Sequence, residues 1–242
     1  MRIALVNQPC PVRTPSVIPA RGQPLGLAYV AASARQDGHT PMIVDANAPA
    51  DGCLSVEQVC KSVLDYQASV VGISAKCEFF NRAVEISQKI KSACPSIKIV
   101  FGGHHVTMLS REIIGAYPSI DVIVRGEGEK VFCDLLRTFE TGENLAQVPG
   151  ITCRIGNAVE STLMPPPIGN LDSIPFPARD LLPPLHQYST VLVDGARKVQ
   201  ATVATSRGCT HRCSFCSIQT FYGVVGRRLR KRSIESVVEE IL

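Results

Sequence analysis

The stretch SVVGISAKCEFFNRAVEISQKIKSACPSIKIVFGG, residues 69–103, decides the fold. Residues 69–74 are β-branched and apolar without polar alternation, the pattern of a strand buried on both faces. Phe80, Ala83, Val84, Ile86 and Ile90 then recur at helical spacing over 79–93, and Pro95 stops the helix. A second apolar strand, residues 97–101 (IKIVF), ends in Gly102-Gly103. Strand, helix and strand make a βαβ unit, whose right-handed crossover lays the helix on a parallel sheet.

The alternation continues in both directions. Upstream, residues 2–7 and 41–46 read as strands, residues 25–36 as a helix closed by Gly38, and residues 55–66 as a helix behind Ser55. Downstream, a helix over 107–116, a strand over 120–124 and a helix over 128–139 follow. The fold class is α/β, a doubly wound, Rossmann-like parallel sheet, in which ligands bind beyond the carboxyl ends of the strands. Asn7, Asp45, Asn47, Ser74, Lys76, Gly102, Gly103, His104, Gly126 and Glu127 gather on that edge. No Gly-x-Gly-x-x-Gly follows the first strand, which argues against a dinucleotide, although another nucleotide or an empty domain remains open at this level. His105 reads as structural, and Glu129 as a cap of the fifth helix.

After residue 142 the pattern changes. Residues 149–161 read as a hairpin turning at Gly156-Asn157, and seven prolines over 165–184 read as an extended linker. Strands over 190–193 and 199–204 flank Asp194-Gly195, the second running into Ser206-Arg207-Gly208-Cys209, and a last helix starts behind Ser233. The expected division is 1–142, an α/β binding domain; 143–198, hairpin and linker; and 199–242, the start of a further domain.

Composition excludes other classes. In 242 residues, 45% are hydrophobic and 19% charged, which excludes a disordered chain. No apolar run reaches the ~18 residues that span a bilayer, and the first apolar run is too short for a signal peptide. A net charge of +4 makes no case for nucleic acid, and the run Arg227-Arg-Leu-Arg-Lys-Arg232 reads as a solvated surface or a contact face. Ten cysteines without a secretion signal place the protein in a reducing, cytoplasmic compartment. Seven of them are scattered and read as small buried hydrophobes.

The other three form Cys209-Thr-His-Arg-Cys213-Ser-Phe-Cys216. Three soft thiolates on one short loop suit three irons of a [4Fe–4S] cluster, leaving the fourth iron open to an external ligand. A zinc site completed by His211, or a redox pair Cys213-x-x-Cys216, is the bland alternative.

This CxxxCxxC, with an aromatic before its last cysteine and a Ser-Arg-Gly turn before its first, resembles the signature of the radical S-adenosylmethionine (SAM) superfamily. Gln23-Pro-Leu-Gly-Leu-Ala-Tyr29, Val71-Gly-Ile-Ser74, Phe101-Gly-Gly-His104, Arg125-Gly-Glu-Gly-Glu129 and Ile174-Pro-Phe-Pro-Ala-Arg-Asp180 are similar to segments of its cobalamin-binding branch. The resemblance covers nearly the whole chain. It implies a [4Fe–4S] cluster on Cys209, Cys213 and Cys216, SAM chelated to the open iron with Phe215 near its adenine, and cobalamin on the strand edge. Ser74, Gly102 and Gly103 then line the cofactor's nucleotide tail, and Lys76 stands where a leucine is common. The family's Asp-x-His-x-x-Gly reads here Asp45-Ala-Asn47-Ala-Pro-Ala50, so the resemblance implies base-off cobalamin without a protein histidine. The implied function is an N-terminal portion of a cobalamin-dependent radical SAM enzyme, a methyltransferase acting on an unactivated carbon of a small molecule, with a flavodoxin or ferredoxin as electron donor. Alternatives are a radical cyclase or rearrangement enzyme of the same family, and a non-catalytic cobalamin-binding module; this chain holds only the first βα unit of the barrel.

Overall fold

The computed structural model describes residues 1–10, 22–48, 53–156, 158–188, 190–193, 196–211, 213–218, 221 and 229–242. Strands β1 (Arg2–Asn7), β2 (Thr40–Asp45), β3 (Val70–Ser74), β4 (Lys98–Gly102) and β5 (Val122–Val124) lie in the order β2-β1-β3-β4-β5, all parallel. β6 (Ile151–Ile155) adds antiparallel to β5, and β7 (Ala158–Ser161) antiparallel to β6, so the hairpin expected over 149–161 completes a seven-stranded sheet. Asn157, half of its expected turn, lies outside the described residues; Gly156 has φ +59°.

Helices α1 (Leu25–Gln36) and α6 (Gly128–Thr141) pack side by side on one face, over Ile3, Leu5, Val100 and Val122. On the other face α2 (Val56–Asp65), α3 (Phe80–Ala93) and α5 (Ser110–Ala116) cover Ala4, Val6, Val71 and Ile99. Alternate residues of one strand thus feed two cores, which is why these strands are apolar throughout. Ser55 starts α2 with a reciprocal cap: its hydroxyl accepts from Gln58 N at 3.2 Å and its N–H donates to Gln58 Oε1 at 2.7 Å. The helix expected over 107–116 is instead two, α4 (His104–Met108) and α5, broken at Leu109, which takes φ −117° and ψ 31°.

The proline-rich segment is not simply extended. Single 3₁₀ turns at Leu171–Ser173, Arg179–Leu181 and Leu185–Gln187 interrupt it, and Leu171, Ile174, Ala178, Leu182 and Tyr188 are buried. Ala178 N donates to Ala28 O of α1 at 3.0 Å, so the segment is packed on the domain.

The strand expected over 199–204 is corrected. β8 (Thr190–Val193) pairs with β9 (Ala196–Val199), and residues 201–205 carry no ladder among the described residues. The β-branched composition of 201–205 signals a strand, but without a neighbouring strand there is nothing to pair with. The turn at Asp194-Gly195 lies outside the described residues. β10 (Ser206–Arg207) pairs antiparallel with β11 (Arg230–Lys231), and α7 (Ile234–Ile241) follows, capped by Ser233 Oγ accepting from Ser236 N at 3.1 Å. Among the described residues no helix is long and apolar enough to cross a membrane.

Candidate cofactor site

In the order β2-β1-β3-β4-β5 the connections leave β1 and β3 in opposite directions, which opens a crevice at their carboxyl ends. A cavity of about 370 Å³ lies there, on the α1 and α6 face. Its floor is Leu5 of β1, Gly72 to Ser74 of β3, Val100 to Gly102 of β4 and Val124 of β5. Its walls are Gly26 and Val30 of α1 and Gly128 and Phe132 of α6. Each helix therefore presents a glycine in its first turn and an apolar side chain one turn later. A Cβ on Gly128 meets Val30 Cγ2 at 3.3 Å, so the glycine lets the two helices approach.

Of the edge residues, Ser74, Gly102, Gly103, His104, Gly126 and Glu127 line the cavity. Gly103 has φ +109° and ψ 175°, a conformation reserved for glycine, and turns the chain from β4 into α4. His104 is held below its ordinary pKa by burial, so its ring is neutral, and it lies against Phe221 with centroids 4.2 Å apart. His105 points elsewhere, edge-on to Phe80 at 4.9 Å, as the structural reading expects.

Asn7, Asp45, Asn47 and Lys76 are not in the cavity lining. The first three form a hydrogen-bond network at the β1–β2 end. Asp45 Oδ1 accepts from Asn7 Nδ2 at 2.7 Å and Asn47 N at 3.1 Å, Asp45 Oδ2 accepts from Tyr188 OH at 2.9 Å, and Asn47 Nδ2 donates to Gln8 O at 2.8 Å. Tyr188 comes from the proline-rich segment; burial, then the Asp45 charge, pushes its phenol well above the ordinary value. This network anchors that segment to the sheet edge.

The rim is charged. Glu127 stands at the N-cap position of α6 and Glu129 in its first turn, where the helix dipole favours a carboxylate as expected, but neither side chain makes a cap hydrogen bond. Both carboxylates are engaged by arginines instead: Arg207 with Glu127 at 3.4 Å and with Glu129, and Arg230 with Glu127 at 2.8 Å. Burial pushes the Glu127 carboxyl up, but the Arg230 hydrogen bond, the Ile168 N–H and the two guanidinium charges outweigh it and hold it below its ordinary value. The Arg207 guanidinium lies 5.4 Å from the centre of the Tyr29 ring. The basic run is thus partly internal: Arg230 is 8% exposed, and Arg232 pairs with Glu240, whose side chain is 2% exposed and also binds Arg179 at 2.6 Å. Arg227 and Arg228 lie outside the described residues.

Cys209 and Cys216 are half-buried and Cys213 is exposed, with Cys216 N donating to Cys213 O at 3.2 Å. Among the described residues no three metal-ligating side chains gather on one ion position. Phe215 is 91% exposed. Of the seven scattered cysteines, Cys60, Cys133 and Cys153 are buried as expected, whereas Cys10, Cys53 and Cys94 are half-buried and Cys77 is exposed. Sequence reading missed Arg207 and Phe221 as cavity residues, because their contacts join segments about eighty to over a hundred positions apart, as in the Glu127–Arg207 and His104–Phe221 pairs.

Residues 16–136 match the B12-binding domain family. The chain belongs to that family. Among relatives, this B12-binding chain is 33% identical to an uncharacterized methyltransferase of Pyrococcus horikoshii, over 100% of its own length and 50% of the relative's. It is 32% identical to the hopanoid C-3 methylase of Methylococcus capsulatus, over 91% of its own length and 40% of the relative's. It therefore spans about half the length, or less, of these curated relatives. In fold it superposes with a TM-score of 0.77 on the cobalamin-dependent SAM radical enzyme OxsB with aqua-cobalamin and SAM bound, at 22% identity, covering 99% of this chain and 31% of that one. The B12-binding domain thus continues, in the same chain, into the loop that carries Cys209, Cys213 and Cys216.

Proposed function

We propose that this chain forms the cobalamin-binding and cluster-loop portion of a cobalamin-dependent radical SAM methyltransferase acting on a small molecule. The observation that carries the reading is the convergence of two parts on one cavity. The carboxyl edge of a B12-binding sheet makes its floor, and Arg207, two residues before Cys209, makes part of its rim.

The residues present fit cobalamin. The cavity is mainly apolar, and an added Cβ on Gly26 or Gly102 meets no protein atom within 4 Å, so both glycines keep space open. A cavity of about 370 Å³ would hold one part of so large a cofactor, with Ser74, Gly102 and Gly103 in its lining. The residues also fit an iron–sulfur cluster by the chemistry of their donors: three free thiols in one short loop, each able to serve its own iron. Bound here, cobalamin supplies methyl-transfer chemistry, while the cluster supplies the electron for radical chemistry on SAM. Ser74 offers a hydroxyl to the cofactor, the apolar floor excludes water, and neutral His104 brings no charge to the cavity.

A cyclase is the second reading, favoured by 29% identity over 100% of the chain to the anaerobic magnesium-protoporphyrin IX monomethyl ester cyclase of Synechocystis. The setting proposed is reducing and cytoplasmic, where thiolate ligands stay unpaired, and a flavodoxin or ferredoxin would deliver the electron. The first test is titration of the chain with aquacobalamin, followed by absorbance and by retention on a sizing column. One cobalamin retained per chain is expected, and none retained refutes the reading.

A further inference from the structure

Two arginines face each other across an isolated ladder of two residue pairs. β10 and β11 pair Ser206 with Lys231 and Arg207 with Arg230. Like charges directly opposite on a strand pair repel, and so short a ribbon does not hold alone in water. The α/β domain supplies what this ladder lacks. Glu127 Oε1 accepts from Arg230 Nη2 at 2.8 Å and lies 3.4 Å from Arg207 Nη1, while Glu129 Oε1 accepts from Arg207 Nη2. Two carboxylates meet two guanidiniums, and the four side chains are between 8% and 19% exposed, so solvent screens them weakly. Both glutamates stand at the start of α6, where the helix dipole favours a carboxylate.

The clamp has a place as well as a strength. Glu127, Glu129 and Arg207 all line the cavity. Cys209 follows Arg207 by two residues, so the chain between their Cα atoms spans at most about 7 Å. The first cysteine therefore has little freedom relative to the cavity rim while the clamp is closed.

We propose that Glu127 and Glu129 are positioning residues: by holding Arg207 and Arg230 they set where the cysteine loop begins over the cavity mouth, and with it the separation of the two cofactors. The second half of that statement rests on the function proposed above.

The test uses the full chain and the variants Glu127→Gln, Glu129→Gln and the double variant. In the unloaded protein, amide hydrogen exchange over residues 206–211 is expected to rise about tenfold or more in the double variant, with β1, β3 and β4 unchanged. Equal exchange in parent and variant overturns the clamp. In protein loaded with cob(II)alamin and reduced cluster, electron paramagnetic resonance reads the coupling between the two centres. At equal iron and cobalamin content, the variants are expected to give a broader range of separations, broadest in the double variant. A separation unchanged in every variant overturns the positioning role even if stability falls. Failure of the parent to load either cofactor counts against the proposed function, and the exchange arm still decides the clamp.

Discussion

Alanine at Cys209, Cys213 and Cys216 together is expected to remove about four irons per chain from anaerobically reconstituted protein. The prediction is specific to these thiols. Iron–sulfur ligands are thiolates, and the buried alternatives resist ionisation: burial pushes Cys60 up to about 11 and Cys133 up to about 12. Cys77 is exposed and stands just beyond β3, so Cys77→Ala is the control that should keep its iron. Metal analysis with acid-labile sulfide decides the matter. Iron retained in the triple variant, or zinc near one per chain in the parent, would contradict the cluster assignment. Since none of the three cysteines lines the cavity, the triple variant should still take up cobalamin.

The second large effect is expected at Gly102. Its backbone is ordinary, since its φ is not positive, and a Cβ there meets no protein atom within 4 Å. A larger side chain therefore starts into open space and is expected to extend into the volume proposed for cobalamin. Gly102→Leu should leave the thermal midpoint nearly unchanged and weaken cobalamin binding by about tenfold or more, equivalent to about 1.4 kcal/mol. Gly103 offers no such separation, because at φ +109° any side chain costs about 1–3 kcal/mol of backbone strain. Equilibrium dialysis of parent and Gly102→Leu measures the effect. Equal affinity would move the binding site away from this edge.

Much of the α/β domain was legible because buried parallel strands and their covering helices leave plain periodic patterns. Val70–Ser74 and Lys98–Gly102 pair in the expected parallel sheet, and Ser55 caps α2 as its position suggests. Gly102 and Gly103 at the end of β4 and Gly126 just beyond β5 could be placed on the cavity for the same reason, since the strand ends define the edge. What could not be read were contacts between distant segments. Nothing near Glu129 in the sequence announces Arg207, so this first-turn acid signals the helix start but not the guanidinium from another element that pairs with it. Asp45 and Asn47 lie on the edge as expected, yet Tyr188, more than a hundred residues away, claims the carboxylate. Residues 201–205 have strand-like composition without a strand, because a ladder is made by two partners and composition describes one.

The cavity over β1, β3, β4 and β5 is proposed to hold cobalamin. Amide hydrogen exchange of the chain with and without saturating aquacobalamin tests it most directly. Protection is predicted at residues 72–74, 100–104 and 124–129, the segments that build the floor and rim. Protection confined to the β2 end and the α2–α3 face, or no protection at all, would contradict the claim.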